Sequence, residues 1–187
     1  MKFLVGTRLS LKFIKKNLDD VYDDIRMFNN YDDSIATYGY TVSTEWNYIQ
    51  EIPYKGDTIR DKRRMYIHYY YSIEKADDDE QAFDKRIARL HKELLENKLV
   101  ESYKKAYEQF FEVKNTPKRG RQVNYKEDAI KEARKYLGYF ALITNKKMDA
   151  FTALHLHRMK DVVEKVFGNI KERLNMRRLL VSSEKGL

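Results

Sequence analysis

Residues 139–178 read YFALITNKKMDAFTALHLHRMKDVVEKVFGNIKERLNMRR. The run Tyr139–Asn145 is apolar, with aromatic and β-branched members, and comes after Gly138; it predicts a buried strand. Lys146–Ala150 read as a loop, with Asp149 placed to cap a helix. From Phe151 to Arg178 the pattern turns helical, and Gly168 is its only Gly or Pro. With the strands and helices read along the rest of the chain, the class is α/β, as an α+β fragment.

Within that helix His157, Lys160, Glu164 and Lys171 are spaced three, four and seven apart. At about 100° per residue they fall within about 60° of one another. One stripe therefore carries a carboxylate with cations on either side. Another side is apolar: Val162, Val163, Val166, Phe167, Ile170 and Leu174 are expected to be buried. A carboxylate at the edge of a buried seam can hold a metal, and aligned cations can hold phosphate oxygens. An exposed, salt-bridged helix face accounts for the same spacing.

Working back toward the N-terminus, Lys126–Leu137 predicts a short helix stopped by Gly138. Residues 76–113 carry Ala82, Phe83, Ile87, Leu90, Leu94, Leu95 and Leu99 at three- and four-residue steps, predicting one helix that ends before Pro117. In MYIHYYYSI (65–73), Met65, Ile67, Tyr69, Tyr71 and Ile73 share one register, with Tyr66, His68, Tyr70 and Ser72 opposite. With the earlier run holding Val42, Trp46 and Tyr48, this predicts two antiparallel strands joined near Pro53, Gly56 and Asp57. Beside the second lie Arg60, Lys62, Arg63 and Arg64. Aromatic strands next to arginines can stack single-stranded bases, and an aromatic sheet face with a charged rim reads the same way. Residues 17–33 hold six Asp and one Arg. Without the glycine and closing glutamate of a calcium loop, they read as a solvated acidic face. Phe3–Val5 predicts a short strand, either buried or at a sheet edge.

The 187 residues suggest one domain with an appendage. The 37 basic and 29 acidic side chains leave a net charge of +8, which suits an anionic partner such as nucleic acid. The absence of cysteine excludes disulfides, thiolate zinc sites and cysteine nucleophiles, and fits a reducing, cytoplasmic setting. No apolar run approaches the ~20 residues of a membrane span, and the N-terminus lacks a signal-peptide pattern. Walker, HExxH, GxSxG and dinucleotide-binding patterns are also missing.

The segment 138–181 resembles the end of the DDE transposases of bacterial insertion sequences. These carry a Tyr, two residues, Arg, three residues, Glu, six residues, Lys signature, which maps onto His157, Lys160, Glu164 and Lys171. A strand ending in Thr-Asn, Phe167 three after the glutamate, and Arg173, Arg177 and Arg178 after the lysine complete the match. KFLVGTRLS at 2–10 is similar to the family's strand after its second catalytic aspartate. The resemblance implies an incomplete ribonuclease-H-like core: residues 1–14 its last core strand, 15–137 a mixed strand/helix insertion, and 138–187 a strand plus the catalytic helix. It implies Glu164 as catalytic residue and Mg²⁺ ligand in the intact enzyme. His157, Lys160, Lys171, Arg173, Arg177 and Arg178 are the implied DNA phosphate contacts. His157 and Lys160 depart from the family's Tyr and Arg, and lysine lacks the bidentate fork of arginine.

The family's two aspartates are expected upstream of residue 1. The chain is therefore expected to bind DNA at transposon ends, and another transposase subunit, without cutting by itself. The alternative is a non-catalytic basic module that binds nucleic acid through its Arg/Lys surface or a protein through an exposed sheet edge. An inert remnant is a third possibility.

Overall fold

Two long strands, β3 (Thr37–Glu51) and β4 (Thr58–Ser72), build the middle of the protein from the Tyr-rich stretch. They belong to a curled antiparallel sheet of five strands in the order β1-β7-β4-β3-β2. The other strands are β1 (Leu4–Thr7), β2 (Tyr31–Asp32) and β7 (Tyr139–Thr144). The helices are α1 (Lys12–Asp20), α2 (Tyr22–Ile25), α3 (Ile73–Leu95), α4 (Lys104–Phe110), α5 (Glu127–Arg134) and α6 (Ala150–Arg173). A separate hairpin pairs β5 (Phe111–Thr116) with β6 (Gly120–Tyr125). This computed structural model describes residues 2–51, 58–116 and 120–173, so the expected turn at Pro53, Gly56 and Asp57 lies outside the described residues. The mixed α/β class expected from the sequence is what the chain adopts.

β4 lies at the centre of the strand order, and both of its registers are buried: Met65, Ile67 and Tyr69 on one side, His68, Tyr70 and Ser72 on the other. Alternation alone cannot show this, because tyrosine and histidine read as polar partners until both sheet faces are covered. β1 is the edge strand, with Val5 exposed, so the buried alternative for Phe3–Val5 is corrected. An edge strand borrows partners on one side only and buries less.

The chain forms two compact units. The first comprises Thr7–Val42 and Tyr69–Ala141. Here α1 buries Ile14 and Leu18, and the Tyr69 hydroxyl donates to the Ile14 carbonyl at 2.8 Å. α3 starts at Ser72, whose side chain accepts from the Lys75 N–H at 3.3 Å. Ile87, Leu90 and Leu94 of α3 pack with Ala106, Tyr107 and Phe110 of α4, Phe111 and Ile130. The single helix expected over 76–113 is corrected to two. Asn97 takes a left-handed φ of 56°, ending α3, and Tyr107 folds back to bond Glu93 and the Val100 N–H. Leu95 and Leu99 are consequently exposed. The hairpin β5–β6 alternates over only two apolar residues per strand, Phe111 and Val113 against Tyr125 and Val123, too short a run to announce it. Gly138 is required by its place. Its φ is +80° and an added Cβ would lie 2.5 Å from the Cβ of Ala76. The Gly138 N–H donates to Asp79 and its carbonyl accepts from the Ser72 N–H.

The second unit comprises Met1–Gly6, Ser43–His68 and Leu142–Leu187. β1 is tied to the end of β7 by side chains as well as backbone. The Thr144 hydroxyl donates to the Phe3 carbonyl, and the Phe3 N–H donates to Asn145 Oδ1 at 3.0 Å. Asp149 caps α6 as expected, accepting from the Thr152 N–H at 2.9 Å. Hydrogen bonding to Thr152 holds its carboxyl below the usual range. α6 buries Ala150, Ala153 and Leu154 in its first turns.

Candidate nucleic-acid interface

Three adjacent strands of the second unit, with the residue that precedes β1, line one groove of about 540 Å³. In strand order, Phe3 precedes β1, Ile143 comes from β7, Arg63 and Met65 from β4, and Trp46 from β3. Arg64 and Asn145 complete the lining. Met65 and Arg63 are two apart and share a register, which puts these two on one sheet face, whereas Arg64 belongs to the opposite register. Trp46 is 48% exposed, and its large ring lines this hollow of binding size. Arg63 approaches Asp61 at 3.5 Å and Lys62 approaches Glu45 at 3.5 Å. Pairs so exposed are worth little, roughly 0–1 kcal/mol, and exchange readily for phosphate. Arg64 pairs with no carboxylate among the described residues.

α6 covers the other face. Gly6, in the register opposite Phe3, faces His157: an added Cβ would lie 3.8 Å from its Nε2. His68, in the register opposite Met65, is fully buried and feels the Asp149 carboxylate at the start of α6. Burial outweighs that carboxylate and pushes the His68 pKa down to about 4. The groove and the start of α6, with His157, therefore lie on opposite faces. The sequence named Trp46, Arg63 and Arg64 as residues of strand and rim. It could not show that Phe3, Ile143 and Asn145, from distant parts of the chain, complete the lining.

On α6, Lys160 and Glu164 form an exposed ion pair at 3.4 Å, with Glu164 64% exposed at its side chain. His157 is half-buried. Lys171 and Arg173 are on the helix, with side chains outside the described residues, and Arg177 and Arg178 lie outside them altogether. The expected burial of the apolar seam is corrected for its described part. Val162, Val163 and Val166 are exposed, as are Leu156 and Met159. The side chains of Phe167 and Ile170, and the whole of Leu174, lie outside the described residues. Beyond Leu154 the described residues offer α6 no surface on which to bury that seam.

Glu164 is the only carboxylate of the stripe, and Lys160 engages it. Among the described residues no three His, Asp or Glu side chains converge to hold an ion, so the residues present do not fit a two-metal site. The six aspartates of 17–33 serve other ends where their contacts are described: Asp19 accepts from Tyr136 and Lys135, and Asp32 from Ser34. Among the described residues no helix is long and apolar enough to cross a membrane. No protein-family model, curated protein or solved structure matches this chain.

Proposed function

We propose that this chain is the DNA-holding C-terminal part of an insertion-sequence transposase, working in the cytoplasm and performing no cleavage by itself. The observation that carries the DNA-binding reading is the groove, where an exposed tryptophan, a phenylalanine and two arginines share one hollow. Apolar walls and a cationic rim suit a base stacked on Trp46 with its phosphate at Arg63 or Arg64. The transposase reading rests on the resemblance of 138–181. It is supported by the exposed seam of Leu156, Met159, Val163 and Val166 on α6. That seam is where the aspartate-bearing strands of a ribonuclease-H-like core would pack. In the intact enzyme Mg²⁺ would be held by those aspartates with Glu164. His157, Lys160, Lys171, Arg173, Arg177 and Arg178 would contact phosphates at transposon ends.

Trp46 is the only tryptophan, so intrinsic fluorescence excited at the red edge reports on the groove alone. Titration with a single-stranded oligonucleotide is expected to quench it. Trp46→Ala should weaken binding by about 1–3 kcal/mol, measured by anisotropy of a labelled oligonucleotide. Unchanged fluorescence together with undiminished binding by the variant would remove the groove from the reading.

A further inference from the structure

In the first unit a second, smaller cavity of about 140 Å³ has a character unlike the groove. Its size is far above the ~10–15 Å³ that one water needs. Tyr139 and Tyr71 contribute rings, Leu137 closes one side, and Arg26, Arg134 and Lys135 bring three cations to it. Glu80 is the one carboxylate of the lining.

The cations are held in different ways. Arg134 is engaged by Glu80 at 3.5 Å and by Asp84 at 2.5 Å, and Lys135 by Asp19 at 3.1 Å. The Arg26 guanidinium sits over the Tyr71 ring, 4.4 Å from its centroid, and pairs with no carboxylate among the described residues. It thus keeps its five N–H donors for another acceptor, in the planar fork that matches phosphate and carboxylate. Beside it, Tyr139 is only 4% exposed, and its buried hydroxyl closes no hydrogen bond of ordinary geometry, with the Tyr22 hydroxyl beside it as a loose acceptor. The nearby Tyr22 hydroxyl donates instead to the Lys135 carbonyl at 2.9 Å. Burial holds the Tyr139 phenol protonated, which keeps it a donor.

We propose that this cavity binds one tetrahedral oxyanion of the phosphate class, gripped by the Arg26 fork and the Tyr139 hydroxyl, with Arg134 and Lys135 supplying charge. Glu80 opposes the anion and sets its affinity. The site stands whether or not the Trp46 groove binds DNA. The anion can be free phosphate or the phosphate of a nucleic-acid strand, and the chemistry of recognition is shared.

The test is calorimetric titration of the full chain with inorganic phosphate. Saturable binding of one phosphate per chain is expected. Arg26→Ala should weaken it about ten- to hundredfold, the loss of charge-assisted hydrogen bonds. Tyr139→Phe, which keeps the ring packing, should weaken it by a smaller factor. Glu80→Gln should tighten it, and this gain cannot come from a misfolded variant. Absence of saturable binding, or binding indifferent to both Arg26→Ala and Glu80→Gln, would overturn the proposal. Repeating the titration with a saturating DNA oligonucleotide distinguishes the source. Phosphate displaced from the wild-type chain assigns the site to a strand phosphate, and phosphate retained assigns it to the free anion.

Discussion

His68 shows how one buried residue couples this fold to pH. It sits in the central strand with no exposed surface, and burial lowers its pKa from 6.5 to about 4. The unfolded chain therefore binds a proton between pH 6.5 and 4 that the folded chain refuses. Stability from the neutral imidazole is full above pH 6.5 and is lost as pH falls to about 4, a change of up to about 3 kcal/mol. Denaturant unfolding followed from pH 7 to pH 4 should show this decline, and a His68→Gln variant that folds should show less of it. An equal decline in both would assign the effect to carboxylates instead. Gly138 and Asn97 make the complementary point about backbone. Each adopts a left-handed φ, Asn97 where α3 ends and Gly138 where the chain turns into β7.

Among the elements, α6 is divided along its length. Its first turns bury Ala150, Ala153 and Leu154, while Val162, Val163 and Val166 remain exposed further along. Leu154→Ala should therefore cost about 2–5 kcal/mol of stability. Val163→Ser should stay within about 0.5 kcal/mol of the parent, as surface substitutions do. Thermal or urea unfolding of the two variants checks the contrast. A large loss from Val163→Ser would show that the seam is packed against part of this chain. The helix also illustrates the limit of a spacing argument: a 3–4 apolar repeat states that a face can be covered, not what covers it.

At the scale of the whole molecule the net charge of +8 is unevenly placed, with eight Lys/Arg against four Asp/Glu in residues 151–187. Cations that neutralise phosphates release counterions, so DNA binding should fall steeply with salt. About four or five phosphate contacts predict a log–log slope of about −3.5 to −4.5. Duplex binding measured from about 50 to 200 mM salt tests this, and a slope near zero would argue for an inert chain. With Mg²⁺ added, no DNA cutting or strand transfer is expected, because Glu164 stands with Lys160 rather than with other carboxylates among the described residues. Cleavage that disappears in Glu164→Ala would establish a complete catalytic site within these residues.

The local elements whose signals are short-range were legible in the sequence. Tyr139–Thr144 announced a strand through continuous apolar residues, Asp149 announced a helix start, and 65–72 announced a strand by period two. The stripe on α6 came from helical spacing, and so did the exposed Lys160–Glu164 pair as its plainer reading. The tertiary structure alone decided which surfaces are covered. Both registers of β4 are buried because the strand is central in its sheet, a fact of pairing between residues far apart in the chain. The groove likewise needed Trp46, Met65 and Ile143 of three strands to meet Phe3, which precedes β1. The exposed seam of α6 carries the same pattern as a buried one. Periodicity records the chemistry of a face, whereas burial depends on long-range neighbours that no local window contains.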